Sequence, residues 1–275
     1  MTAADEGRLA QEVESLGFKA LWIPESLGSK EIFAHASILL SATKTLIVAS
    51  GIANIWARDA VAMNSGARTL QDAHADRFLC GIGVSHKPTI DVRLGGGYKK
   101  PLGHMRAYLD AMDKAPYVGP NRKDPPPPRV LAALGPQMLR LSAERSLGAH
   151  PYFVPVEHTT IARKELGPDP LLAVEQACTL EADPAKARAI ARTHMKRYLG
   201  LVNYSNNLRR LGWGDADLGN GGSDTLVDAI VAWGDVGAVK ARADAHRKTG
   251  ADHVCLQVLG GDLAGQLRTI GKALL

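Results

Sequence analysis

Residues 45–54 read Thr-Leu-Ile-Val-Ala-Ser-Gly-Ile-Ala-Asn, a short aliphatic and β-branched run that meets a glycine and ends, and Asp59 then opens a stretch of helical period that closes near Asp72. A strand followed by a helix is one βα unit, and the unit recurs in both directions along the chain. Upstream, residues 5–16 carry Leu9, Val13 and Leu16 at helical spacing and stop at Gly17, a natural C-cap. A strand is predicted over 20–24 and a helix near 31–43. Downstream, a strand is predicted over 77–84. A helix over 101–114 then starts on Pro101 and presents Leu102, Met105, Leu109 and Met112 on one face. Further strands fall at 129–134, 150–154, 171–180 and 253–258. Several helices separate the last two, one of them opened by Asp183 and Pro184 as N-cap and first-turn proline. The polyproline stretch from Asp124 to Pro128 reads as a stiff spacer.

Seven strands, each followed by a helix, behind an orphan helix at the front describe a (β/α)8 TIM-type barrel lacking its first strand, with a helical insertion before the last strand. A doubly wound open sheet of seven strands is the competing architecture and needs no missing piece. No internal repeat or flexible linker is visible, so the expectation is a single domain over 1–275.

Bulk properties narrow the function. Among 275 residues, 33 Lys and Arg stand against 28 Asp and Glu, and only 5% are aromatic, which argues against a nucleic-acid surface. The basic pairs Lys196-Arg197 and Arg209-Arg210 read as solvated helix faces. Cys80, Cys178 and Cys255 lie singly in apolar runs without C-x-x-C spacing, as buried structural thiols do, and point to a reducing cytoplasm. Residues 1–16 are polar and helical rather than signal-like, and the apolar stretch over 46–57 is too short for a bilayer. A soluble protein without membrane contact is expected.

In a barrel the ligand sits at the C-terminal ends of the strands. Those positions hold Glu25 and Ser26; Gly51, Ile52 and Asn54; Gly81, Gly83, Val84, Ser85 and His86; Leu134, Gly135 and Pro136; and His150, Pro151 and Tyr152. The Gly135-Pro136 turn exposes N–H groups near Met138 where a phosphate would gain from the helix dipole, though such a turn is more often only tight geometry. Gly81 and Gly83 permit close approach of a flat ring, or equally a strand thinned for packing. They are not the G-x-G-x-x-G nucleotide fingerprint. His86 is the best proton donor, with a satisfied surface histidine as the plainer reading. Glu25 serves either as a base or as a cap. No group has metal-ligand spacing, and neither a Gly-x-Ser-x-Gly elbow nor a phosphate loop is present, so hydrolase and kinase readings lack support.

Five segments taken in order resemble the luciferase-like monooxygenase superfamily, and within it the coenzyme F420-dependent oxidoreductases of actinobacteria. They are Leu16 to Glu25, Val48 to Arg58, Gly81 to His86, Leu131 to Pro136 and Gly250 to Val258. The resemblance implies a cis peptide between Gly51 and Ile52, with Ser50, Gly51, Ile52, Gly83, Val84 and Ser85 lining the cofactor and Leu134, Gly135, Pro136 and Met138 holding its phosphate. It further implies that the turns at Gly51, Gly83 and Gly135 meet at one rim of the barrel. It implies hydride transfer between F420 and an organic small molecule in a homodimer, to which the protein adds a proton; His86 is the candidate for that proton, and Glu25 is the second candidate catalytic residue. An FMN-dependent monooxygenase and a truncated, non-catalytic barrel paralogue are the alternatives. Sugar-phosphate dehydrogenases of the superfamily carry histidine at Ser26 and glutamate at His86, which argues against that substrate. Relatives also begin with a strand that Met1 to Ala4 cannot form.

Overall fold

Local chemistry sets the first helix. The Thr2 hydroxyl accepts the Asp5 N–H at 3.2 Å while the Asp5 carboxylate accepts the Thr2 N–H at 3.3 Å, so two donors of the opening turn of α1 (Ala3–Ser15) are satisfied reciprocally. The computed structural model describes residues 1–26, 28–120 and 126–275. Its chain divides into two compact units, one of Met1–Ala132 with Glu144–Leu147 and one of Ala133–Ala143 with Gly148–Leu275.

In the first unit, α1 leads to β1 (Ala20–Ile23), α2 (Ile32–Ala42), β2 (Ile47–Ser50), β3 (Ala53–Asn54), α3 (Ala60–His74), β4 (Phe78–Gly83), α4 (Lys87–Leu94), α5 (Pro101–Asp113) and β5 (Arg129–Leu131). All pairings are parallel: Ala20 lies opposite Ile47, Val48 opposite Phe78, and Cys80 opposite Arg129. The expected strand over 45–54 is split. β2 and β3 both run along β4, with Asn54 opposite Gly83, and the Gly51–Ile52 peptide between them is cis. Asp59 caps α3 by accepting the Ala62 N–H at 2.9 Å. The predicted apolar face of α5 buries Met105, Leu109 and Met112 together with Tyr108. Glu14 ties α1 to the start of β2, its carboxylate accepting the N–H groups of Lys44, Thr45 and Leu46 at 2.9, 2.6 and 2.8 Å. The Asp124 and Pro125 of the polyproline spacer fall outside the described residues.

The second unit carries α6 (Pro136–Arg145), β6 (Gly148–Ala149), α7 (Val156–Leu166), β7 (Leu171–Thr179), α8 (Pro184–Leu199), α9 (Val202–Arg210), α10 (Asp215–Leu218), α11 (Asp224–Ile230), β8 (Val231–Trp233), α12 (Val236–Lys248), β9 (His253–Val258) and α13 (Leu263–Leu274). β7 is its central strand, parallel to β6, β8 and β9. Asp183 caps α8 by accepting the Lys186 N–H at 2.9 Å, with Pro184 in the first turn as anticipated. The strand expected over 150–154 is instead confined to Gly148–Ala149. Pro151 has no N–H to give a ladder, and Phe153 turns to φ +59°, which ends extended structure there. The short strand Val231–Trp233 had no distinct signal, because it follows the helical run of α11 directly.

A polar chain keys β7 to the helices outside it. The Gln176 amide donates to Ile230 O at 2.9 Å and its oxygen meets His246 Nε2 at 2.8 Å, while His246 Nδ1 meets the Thr159 hydroxyl at 2.7 Å. The amide oxygen only accepts, so Nε2 carries the proton and Nδ1 accepts from Thr159. Burial, aided by the Arg242 charge, pulls the His246 pKa down to about 4, which keeps the ring neutral.

Candidate active site

At the C-terminal ends of β2 and β4 the backbones approach unusually closely. A Cβ on Gly81 would lie 1.9 Å from the Ser50 carbonyl oxygen, and one on Gly83 would lie 2.6 Å from the Ile52 side chain. Gly81 is therefore required by packing, and Gly83 makes the space that Ile52 fills. The buried Ser50 hydroxyl donates to Gly81 O at 2.8 Å, and the Gly51 N–H donates to Ile23 O at 2.7 Å. Together these bonds hold the cis Gly51–Ile52 segment against both neighbouring strands.

The turn after β4 is fixed from a second direction. Trp56 Nε1 donates to Val84 O at 2.9 Å, and the Tyr98 hydroxyl donates to Ser85 O at 3.3 Å, where Ser85 itself adopts φ +55°. The Trp56 indole stacks on His104 with centroids 3.8 Å apart. Burial lowers the His104 pKa and pushes the Tyr98 phenol up to about 12, so both rings are neutral. His86, half-buried, stands at the N-cap of α4 without capping it through its side chain.

Glu25 is engaged on both oxygens. Arg58 donates to Oε2 at 2.9 Å and pairs with Oε1, while the Asn54 N–H donates to Oε2 at 2.7 Å. Although burial opposes its charge, Arg58 is held above its ordinary pKa by these Glu25 bonds and by Glu31. The carboxylate thus anchors the segment that follows the cis peptide.

In the second unit, Leu134, Gly135, Pro136 and Met138 form the turn into α6, where the Met138 and Leu139 N–H groups both reach Gly135 O at 3.1 and 3.0 Å. Leu134 O accepts from His158 Nε2 at 2.8 Å. Arg210 from α9 reaches this turn: its Nη2 lies 3.5 Å from where a Gly135 Cβ would stand. The guanidinium bonds Asn207 Oδ1 at 3.0 Å, and the buried Asn207 Nδ2 has no partner. No carboxylate pairs with Arg210 among the described residues. A helix N-terminus beside an arginine without a carboxylate partner suits an anion.

The structure therefore brings Ser50, Gly51, Ile52, Gly83, Val84 and Ser85 together in one unit, and Leu134, Gly135, Pro136 and Met138 together in the other. Sequence reasoning missed Trp56, Tyr98, His104 and Arg210. Arg210 had been assigned to a solvated face, which suits its neighbour Arg209, paired with Asp215 at 2.7 Å, but not Arg210 itself. Among the described residues no group of three His, Cys, Asp or Glu side chains is placed to hold a metal, and no helix is long and apolar enough to cross a membrane.

Comparison with known proteins adds the following. The family model described as luciferase-like monooxygenase matches residues 1–253. A 5,10-methylenetetrahydromethanopterin reductase of Methanolobus tindarius is 24% identical over 207 residues, which cover 66% of this chain and 63% of that protein. The chain thus spans less than two thirds of the length of the curated relatives it matches. Among solved structures, an F420-dependent secondary alcohol dehydrogenase in complex with an F420-acetone adduct aligns over 100% of this chain and 94% of its own with a TM-score of 0.80 at 13% identity. The FMN-bound oxygenating constituent of 3,6-diketocamphane monooxygenase from Pseudomonas putida aligns over 98% and 90% with a TM-score of 0.71 at 16% identity. These likenesses show the fold, an α/β architecture of the luciferase-like barrel class with a mostly parallel sheet.

Proposed function

Because the chain belongs to the luciferase-like monooxygenase family, we propose that it is an oxidoreductase transferring a hydride between coenzyme F420 and an organic small molecule. The observation that carries the reading is the start of α6, where the Arg210 guanidinium, without a carboxylate partner among the described residues, lies against the Gly135 turn. A phosphate-bearing cofactor would give the Arg210 guanidinium its counter-ion beside the helix N-terminus. The higher structural likeness to the F420-dependent secondary alcohol dehydrogenase, with a TM-score of 0.80 against 0.71 for the FMN-bound monooxygenase, supports F420 over FMN.

When bound, the deazaflavin supplies a hydride-carrying carbon. The residues of the chain bind and orient. Leu134, Gly135, Pro136 and Met138 would take the phosphate with Arg210. Ser50, Gly51, Ile52, Gly83, Val84 and Ser85 would meet the ring, on a surface made rigid by Trp56, Tyr98 and the Glu25–Arg58 pair. Glu25, engaged on both oxygens, acts here by positioning; His86 is the proton-carrying group of the β4 turn.

Fluorescence titration tests the reading. Quenching of F420 on addition of the protein, lost at least tenfold in affinity in Arg210→Met, is the expected result, since a charge-assisted bond contributes about 1.5–3 kcal/mol. Binding of FMN with NADH-driven oxygen uptake, and no response from F420, would establish the monooxygenase reading instead.

A further inference from the structure

β7 runs well past β6. Gly148 and Ala149 lie opposite Leu171 and Leu172, and β7 then continues to Thr179. Glu175, three residues past Leu172 and so roughly 10 Å further along, stands in the middle of β7 opposite Cys255 of β9, level with the loop that leaves the C-terminal end of β6. Two of its groups hold that loop. Its N–H donates to Pro151 O at 3.0 Å and its Oε2 accepts the Phe153 N–H at 2.9 Å, at the residue with φ +59°.

Oε1 has no such task. Glu175 is only 5% exposed, and this oxygen is buried without a hydrogen-bond partner. Stapling the loop needs one acceptor, which a glutamine would supply without a charge, so the loop does not account for a carboxyl. The groups around it are Tyr152 from the loop, Tyr204 from α9, Cys178 on β7 itself and Cys255 on β9, each raised in pKa by burial and by the Glu175 charge. Among the described residues no basic side chain pairs with it. Burial, set against the Phe153 bond, lifts the Glu175 pKa to about 7.

Tyr152 leads on to further polar atoms. The Tyr152 hydroxyl lies 2.8 Å from Gln257 Oε1 and 2.9 Å from the Tyr198 hydroxyl. His194 packs against Tyr198, its ring centroid 4.9 Å away, and its buried Nε2 has no partner. Burial, together with the Arg197 charge, pulls the His194 pKa down to about 4, so that ring is neutral. A buried carboxyl with a free oxygen, beside neutral phenol and thiol groups, suits proton exchange with a ligand.

We propose that Glu175 is an acid–base residue that exchanges a proton through Oε1 with the oxygen or nitrogen of a substrate seated beside the C-terminal end of β6, against β7. The proposal rests on the oxidoreductase reading. In the reducing direction the O–H bond of Glu175 breaks and its proton goes to the heteroatom of a C=O or C=N group, whose carbon receives the hydride from reduced F420. Glu175 is left as a carboxylate still bonded to the Phe153 N–H, and the opposite direction returns the proton from a hydroxyl or amine.

Dicyclohexylcarbodiimide, an apolar reagent that adds to protonated carboxyls, reads this out without turnover. Peptide mass spectrometry of the intact folded protein should find Glu175 labelled about tenfold more at pH 6 than at pH 8, as a carboxyl titrating near 7 requires. Saturating F420 should protect it. Glu175→Gln, which keeps the Phe153 acceptor, should remove the label and leave the thermal midpoint within a few degrees. No labelling at either pH, or undiminished labelling while fluorescence shows F420 bound, overturns the inference. If F420 does not bind at all, the proposed function fails, and the labelling of the free protein still decides whether Glu175 is a reachable, protonated acid.

Discussion

Replacing Gly81 by alanine tests the close approach of β2 and β4 that underlies the candidate site. The added Cβ would stand 1.9 Å from the Ser50 carbonyl oxygen and 3.4 Å from Val130 Cγ2. An ordinary carbon–oxygen contact needs about 3.3 Å or more, so one strand must retreat by about 1.4 Å. That retreat strains the Ser50 hydroxyl bond to Gly81 O at 2.8 Å and the Val48 N–H bond to Arg77 O at 2.8 Å. Overpacking costs about 1–3 kcal/mol and each lost hydrogen bond about 1, so Gly81→Ala should destabilise the fold by about 3–5 kcal/mol. That is a large share of the roughly 5–15 kcal/mol holding a domain together. Gly103→Ala is the control: it lies on an exposed face of α5 with the nearest atom 3.9 Å away, and alanine there should stabilise by about 0.5 kcal/mol. Urea unfolding followed by circular dichroism measures both. A Gly81→Ala midpoint equal to that of the parent protein would refute the claim that this glycine sets the strand spacing.

Three other outcomes are expected. Glu25→Gln should cost about 2–4 kcal/mol in urea unfolding, because Arg58 and the Asn54 N–H lose a charged acceptor in a largely buried setting; a loss below about 0.5 kcal/mol would mean the pair is solvated. Glu14 is held at a pKa of about 2, against an ordinary 4.5, by the backbone N–H of Thr45 first and then by its other donors. A depressed acid stabilises the fold above its unfolded pKa and loses that contribution as pH falls through the folded one, so stability should decline between about 4.5 and about 2 and the decline should be shallower in Glu14→Gln. Burial pushes the Cys80 and Cys178 thiols up to about 12; both should resist a thiol-specific disulfide reagent at pH 8 until denaturant is added, and rapid labelling of either in the native protein would contradict their burial.

Much of the architecture was legible because strand and helix periods alternate cleanly and their ends are marked by chemistry that acts locally. Gly17, Asp59, Pro101 and Asp183 mark element ends through bonds or dihedrals to residues a few positions away. The cis Gly51–Ile52 bond came through the family resemblance, not through any periodicity. The residues that sequence missed work at long range. Nothing in Arg209-Arg210 says which arginine turns toward a glycine 75 positions earlier, and Trp56 gives no sign that it will stack on His104. The stretch 150–154 misled because Tyr152, Phe153 and Val154 favour strands, while the bond from Phe153 to Glu175 draws the chain into a turn. Glu175 itself lay inside an apolar run and carried no local motif.

The chain of bonds through Gln176, His246 and Thr159 has a consequence for assembly. A slip of β7 by one position would carry Gln176 to the opposite face of the sheet and strand its amide, the imidazole and the hydroxyl in an apolar layer. At about 1–3 kcal/mol for each stranded group, the misaligned chain would forfeit about 3–9 kcal/mol, comparable with the entire margin of a folded domain. The three residues act as a checksum on strand alignment: hydrophobic side chains alone would tolerate the error, and this polar thread makes it detectable.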